Sequence, residues 1–232
     1  MTKSLRAELL IVLTLTFGIS GVRAVLNLIN SLAAPQRLDE QSVTLNSSQS
    51  SLAWVDMGLQ LCSAAVLFSY GALALFLLAK DRFVPRAHRA RDWLEGAGLA
   101  ALIGIPGLAL YVAAVHLGWS KEVIPGDFAN AWVEIPVSLL KAGANAFAEE
   151  TVVVMWLMTR LRQARWSLPA TLAASSILRG SYHLYQGVSA GFGNIIMGLF
   201  YGYYYHRTGR VWPLVIAHFL IDAVAFVGYS FL

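Results

Sequence analysis

The stretch VDMGLQLCSAAVLFSYGALALFLLA, residues 55–79, carries one charged side chain, Asp56, in 25 positions. A bilayer core is crossed by roughly 20 consecutive, mostly apolar residues in a helix, so this segment reads as a transmembrane span. Six more stretches approach that length, at about 8–33, 94–118, 132–158, 168–186, 188–205 and 211–231. Composition agrees. Of 232 residues 57% are hydrophobic and 13% charged, and the mean hydropathy is +0.61, whereas an ordinary soluble domain is about a quarter charged. One water-facing core cannot absorb that surplus. The expected fold is all-α, a polytopic membrane helix bundle of about seven transmembrane helices forming one integral membrane domain over residues 1–232.

The net charge of +4 does not indicate nucleic acid, because Lys and Arg fall in short clusters between apolar runs and form no basic stripe. They report topology. With a cytoplasmic N-terminus, Lys3, Arg6, Lys80, Arg82, Arg86, Arg89, Arg91, Arg160, Arg162, Arg165, Arg207 and Arg210 lie inside, twelve of the seventeen. Only Arg37 and Lys121 lie outside, while Arg23, Lys141 and Arg179 fall within spans. The positive-inside rule then sets the N-terminus in the cytoplasm and the C-terminus outside the cell membrane. Leu9 to Gly21 also fits a signal-peptide core, with Ser31-Leu32-Ala33 as its cleavage site, but the apolar run continues to Ala34. The polar segment Pro35 to Ser51 reads as an outer loop with little structure of its own, containing the sequon Asn46-Ser47-Ser48. The single cysteine, Cys62, excludes a disulfide framework and reads as a small buried hydrophobe. Trp54, Trp93, Trp119, Trp132, Trp166, Trp212 and the run Tyr201, Tyr203, Tyr204, Tyr205 read as an aromatic belt at the membrane interfaces.

The residues that point to function are the ionisable ones inside spans: Glu149 and Glu150, Arg179 and His183, and His218 and Asp222. A central Asp, Glu or Arg costs about 2.5–3.5 kcal/mol to insert, so four of them facing lipid would cost on the order of 10 kcal/mol. They are expected to face one another or water. Arg179 with His183, and His218 with Asp222, are i, i+4 pairs that share a helix face. Glu149 and Glu150 are about 100° apart around a helix, so one can point inward while the other flanks it.

A carboxylate in a poorly hydrated pocket is a general base or acid for water. An imidazole fixed by a carboxylate supplies a hydrogen bond to an oxyanion. Glu149, His183 and His218 are also candidate ligands for a divalent metal such as zinc. No His-Glu-x-x-His is present, and the set is equally compatible with no metal. Gly187-Val188-Ser189-Ala190-Gly191 formally matches Gly-x-Ser-x-Gly, which makes Ser189 a rival nucleophile, although no strand-to-helix elbow is predicted there. Gly187-x-x-x-Gly191 and Gly198-x-x-x-Gly202 permit close helix approach.

Glu149-Glu150-Thr151-Val152-Val153-Val154, Arg179-Gly180-Ser181-Tyr182-His183 and His218-Phe219-Leu220-Ile221-Asp222 resemble the motifs of the CPBP family of intramembrane proteases, relatives of the CAAX prenyl proteases and of bacteriocin-immunity proteins. That pattern is Glu-Glu-x-x-x-Arg, Phe-x-x-x-His and His-x-x-x-Asn or Asp, and the likeness covers about residues 140–230. The resemblance implies peptide-bond hydrolysis in or near the bilayer. Glu149 and His183 would activate water, and His218 with Asp222 would stabilise the oxyanion. Two positions depart from the pattern: Val154 stands for its Arg and Arg179 for its Phe. Arg179 is then the expected replacement cation for the glutamate pair. The implied partners are the lipid bilayer and a membrane protein or peptide substrate. A non-catalytic scaffold binding another membrane protein is the alternative. An ion-coupled transporter is a third class, against which no inverted repeat is seen.

Overall fold

The computed structural model describes residues 2–124 and 131–228, and it is all-α apart from two short strands. The helices are α1 (Lys3–Leu15), α2 (Phe17–Ala33), α3 (Ala53–Ala79), α4 (Arg91–His116), α5 (Ala131–Glu149), α6 (Leu157–Gln163), α7 (Leu168–His183), α8 (Val188–Thr208) and α9 (Trp212–Phe226). A π-helix, Glu150–Trp156, joins α5 to α6. Strand β1 (Ser42–Thr44) pairs with β2 (Glu122–Ile124).

Each segment expected to be a span is helical, but length and apolarity qualify fewer of them to cross a bilayer. Among the described residues α3 and α4 do so alone, and α1 with α2 do so as one pair bent by 50°. The 15 residues of α9 rise about 22 Å at 1.5 Å per residue, short of a hydrocarbon core of about 30 Å. The bend in the first span is set at Thr16. Its hydroxyl donates to the Val12 carbonyl at 2.7 Å, an interaction that competes with the helical ladder, and Gly18 lets the chain pass close to the Leu13 carbonyl.

The chain forms two compact units. The first comprises residues 1–42, 105–122 and 152–210, and the second residues 43–104, 123–151 and 211–232. In the first, α8 lies along α7 through glycines. A Cβ on Gly180 would come within 2.6 Å of the Gly191 carbonyl, and one on Gly198 within 2.8 Å of the Ser176 Cα. The small-residue spacing is therefore used for packing. Glu8 ties α1 to α6, accepting from Arg160 Nε at 2.6 Å and Trp156 Nε1 at 2.9 Å. Arg160 is thus buried and paired, so one of the twelve cations counted as cytoplasmic is a structural group. Tyr201 and Tyr205 are also buried, one turn apart on α8. They leave the belt, whereas Tyr203 and the tryptophans at 54, 93, 119, 132 and 166 are exposed, as an interfacial belt requires.

In the second unit, α3, α5 and α9 meet at Phe147, whose ring lies 5.8 Å from Phe68 and 6.4 Å from Trp212. Gly71 of α3 accommodates that ring, because a Cβ there would sit 2.4 Å from Phe147 Cε1. Cys62 is exposed on α3; its apolar neighbours place it on an outward face and not in a core. The loop before α3 is more ordered than its composition suggests. Asn46 adopts φ of 53°, its amide donates to Ser138 Oγ at 2.8 Å, and its Oδ1 accepts from Lys141 Nζ. Lys141 also donates to Gln60 Oε1 at 2.8 Å, and Gln60 donates to the Ser47 carbonyl at 3.0 Å. A lysine in the interior of α5 is stabilised by hydrogen bonding from a loop that reads as unstructured on composition alone.

Candidate active site

The centre of the second unit is α5, whose Ala142, Ala144, Ala146 and Ala148 are fully buried. Alanine is the best helix former, and its small size lets neighbouring helices approach from every side, so polar residues placed among these alanines are withdrawn from solvent and lipid. Glu149, the last α-helical residue, is 3% exposed, and Glu150, the first of the π-helix, is wholly buried. The pitch changes between the two glutamates. Thr151 Oγ1 donates to the Phe147 carbonyl at 2.6 Å at this transition. A π-turn is rare and is often found at functional sites.

Glu150 and His218 of α9 form the shortest contact of the site, Oε1 to Nδ1 at 2.7 Å. His218 Nε2 faces Asp222 Oδ1 at 3.5 Å, and Asp222 Oδ2 accepts from Asn145 Nδ2 at 2.9 Å. Glu149 lies within electrostatic reach of His218. Four of the residues named from sequence, Glu149, Glu150, His218 and Asp222, therefore come together in one unit. The order of strength differs from the helical-spacing argument. The firm partner of His218 is Glu150, from another helix, and its i+4 neighbour Asp222 is the looser one. Asn145 went unnoticed in the sequence, although its place one turn before Glu149 on α5 was the available signal.

Arg179 and His183 belong to the first unit. Arg179 is fully buried, its guanidinium 5.5 Å above the Tyr201 ring and NH1 3.9 Å from Met197 Sδ. A guanidinium on an aromatic face is a favourable cation–π arrangement. His183 Nδ1 is 3.0 Å from the Arg179 carbonyl, and its ring lies 4.8 Å from that of Tyr182. If Nδ1 donates to that carbonyl, Nε2 is the basic nitrogen of the ring. Ser189 donates to Ser120 Oγ at 2.9 Å, a hydroxyl partner and not the imidazole a serine nucleophile needs. Among the described residues, no three His, Cys, Asp or Glu side chains are grouped to hold a metal ion. The metal reading of Glu149, His183 and His218 thus gains no support.

Apolar helices of spanning length and a carboxylate–imidazole cluster with Glu150 and His218 buried among helices are the marks of a helical integral membrane protein. Residues 130–224 match the family described as type II CAAX prenyl endopeptidase Rce1-like. The match covers about two fifths of the chain, and the segment similar to that endopeptidase family carries every candidate site residue. No curated protein and no solved structure matches the chain.

Proposed function

We propose that the protein is an intramembrane endopeptidase that hydrolyses a peptide bond in or near the bilayer. Glu149, assisted by His183, takes a proton from water as the water adds to the substrate carbonyl. The same carboxyl group then delivers that proton to the leaving nitrogen. His218, oriented by Glu150 and Asp222, stabilises the negative charge that develops on the carbonyl oxygen. The observation that carries this reading is the Glu150–His218–Asp222 array, with Glu150 and His218 buried, beside Glu149 within the family-matched segment. The test is quantitative membrane proteomics of a Glu149→Gln strain against its parent. A polypeptide that accumulates uncut supports the activity and names the substrate; identical peptide profiles overturn it.

A second reading, a non-catalytic scaffold that binds a membrane protein partner, is favoured by Val154 and Arg179 standing where the family pattern has Arg and Phe. The two readings differ in purification, since a scaffold co-purifies with its partner in fixed stoichiometry and a peptidase needs none. On the peptidase reading the resemblance makes Arg179, which is fully buried, the replacement for the cation that the family pattern has at the position of Val154. Removing one partner of a buried ionic arrangement costs about 3–5 kcal/mol. Arg179→Phe is therefore expected to be inactive or degraded, and Val154→Arg with Arg179→Phe to recover stability and part of the activity. A double variant no better than the single, by accumulation and cleavage, counts against this role.

We also infer that the protein lies in the cell membrane with its N-terminus in the cytoplasm. In a Cys62→Ser background, cysteine at Ser47 should react with an impermeant thiol reagent in intact cells and cysteine at Arg89 should not. The reverse pattern overturns the orientation.

A further inference from the structure

An oxyanion is stabilised by donors, and an ionised carboxylate has none to give. Asp222 can orient His218 and balance its charge, but as a carboxylate it cannot itself hydrogen-bond to an oxygen that is gaining negative charge. The array therefore has one donor for that task, His218 Nε2, which is held by Asp222 at only 3.5 Å. Its other nitrogen, Nδ1, is committed to Glu150 at 2.7 Å.

The structure places a second donor at the same carboxylate. Asn145 Nδ2 bonds to Asp222 Oδ2 at 2.9 Å, while His218 Nε2 faces Oδ1 of that group. A carboxamide nitrogen carries two hydrogens. This is the one side-chain hydrogen bond Asn145 makes among the described residues, so its second N–H is uncommitted. Asn145 also stands one turn before Glu149 on α5, on the face that carries the base. Asn145 is only half-buried, in contrast to the alanines on either side of it.

Resting on the peptidase reading above, we propose that Asn145 is a catalytic residue, whose free amide N–H joins His218 Nε2 in stabilising the substrate oxyanion while Asp222 acts as the positioning residue for both. When water adds to the carbonyl carbon, the carbonyl π pair moves onto oxygen, and the two N–H groups receive that charge. As the carbon–nitrogen bond breaks, the pair returns to re-form the carbonyl of the product acid, and the amine leaves with the proton Glu149 took from water.

The test uses full-length protein in its own membranes and follows the polypeptide whose cleavage depends on Glu149. Losing one oxyanion donor costs about 10²- to 10³-fold in rate. Asn145→Ala is expected to slow cleavage by that factor. Asn145→Asp, which keeps the shape but supplies no donor when ionised, should slow it at least as much. The exchange Asn145→Asp with Asp222→Asn puts a carboxamide back beside His218 with a carboxylate opposite, and should recover at least tenfold over Asn145→Asp alone. A role in substrate binding or packing is separated by a trap. In the Glu149→Gln background, Asn145→Ala should leave the amount of uncut polypeptide that co-purifies unchanged, because the oxyanion forms only in the transition state. Cleavage within threefold of wild type in both Asn145→Ala and Asn145→Asp would overturn the proposal, as would equal loss of the trapped polypeptide and of cleavage. If Asn145→Ala fails to accumulate, the near-isosteric Asp variant and the exchange decide the matter by the same criteria. Profiles unchanged in Glu149→Gln itself would instead overturn the peptidase reading, and the role of Asn145 with it.

Discussion

Glu149→Gln and His183→Ala are each expected to lower cleavage of the natural substrate by 10²- to 10⁴-fold, with the protein still accumulating in the membrane. That is the range typical of removing a proton-transfer group, about 3–5.5 kcal/mol of barrier at 1.36 kcal/mol per decade. The glutamine keeps the volume of Glu149 in a site that is 3% exposed and removes only the charge and the basicity, so packing among the α5 alanines is preserved. His183 is part-buried at the end of α7, where truncation leaves no sealed cavity. The measurement is the ratio of cut to uncut polypeptide at equal protein level. Wild-type ratios in either variant would move the assignment to the scaffold reading.

The second large effect is on stability. His218→Ala leaves Glu150, a wholly buried carboxylate, without the imidazole that contacts it at 2.7 Å. Breaking a buried pair in this way costs about 3–5 kcal/mol, much of it the stranded charge. Glu150→Gln removes the charge along with the ion pair and should cost less. The double variant is expected to be destabilised by less than the sum of the two singles, with a coupling energy of about 0.5–3 kcal/mol. Denaturation of the purified protein in mixed micelles measures all three. Additivity within about 0.5 kcal/mol would mean that the contact contributes nothing to the folded state.

How far the sequence reveals this molecule depends on which interactions are local. The helical segments were legible because apolarity over 20 residues is a property of the segment alone, and the boundaries of α3 and α4 fall within three residues of those expected. Glu149, Glu150, His218 and Asp222 were legible because an ionisable residue in a span needs a partner. Which partner was not legible, since the Glu150–His218 contact spans 68 residues and helical spacing offers only the nearer Asp222. The π-helix was invisible for the same reason: nothing in Thr151-Val152-Val153-Val154 departs from an ordinary helix. The bend at Thr16 and the buried Glu8–Arg160 pair also arise from tertiary geometry. Tyr201 was misplaced because a belt tyrosine and a core tyrosine have the same local signature, and the partner of Arg160 was not legible because a solvated arginine and a paired one look alike in sequence.

The attachment of Asn46 has a consequence for how the protein is made. Its partners Ser138 and Lys141 lie 92 and 95 residues further along the chain. At roughly 5–20 residues per second, synthesis leaves this asparagine waiting about 5–20 s before they emerge. Throughout that interval its amide nitrogen, the atom a glycan would occupy, is unclaimed, whereas in the finished fold the same nitrogen is committed to Ser138. Production in a host whose translocation machinery glycosylates nascent chains would set sugar transfer against folding at this one atom. A chain that loses the race reaches the membrane with Lys141 deprived of Asn46 and the middle of α5 without its latch.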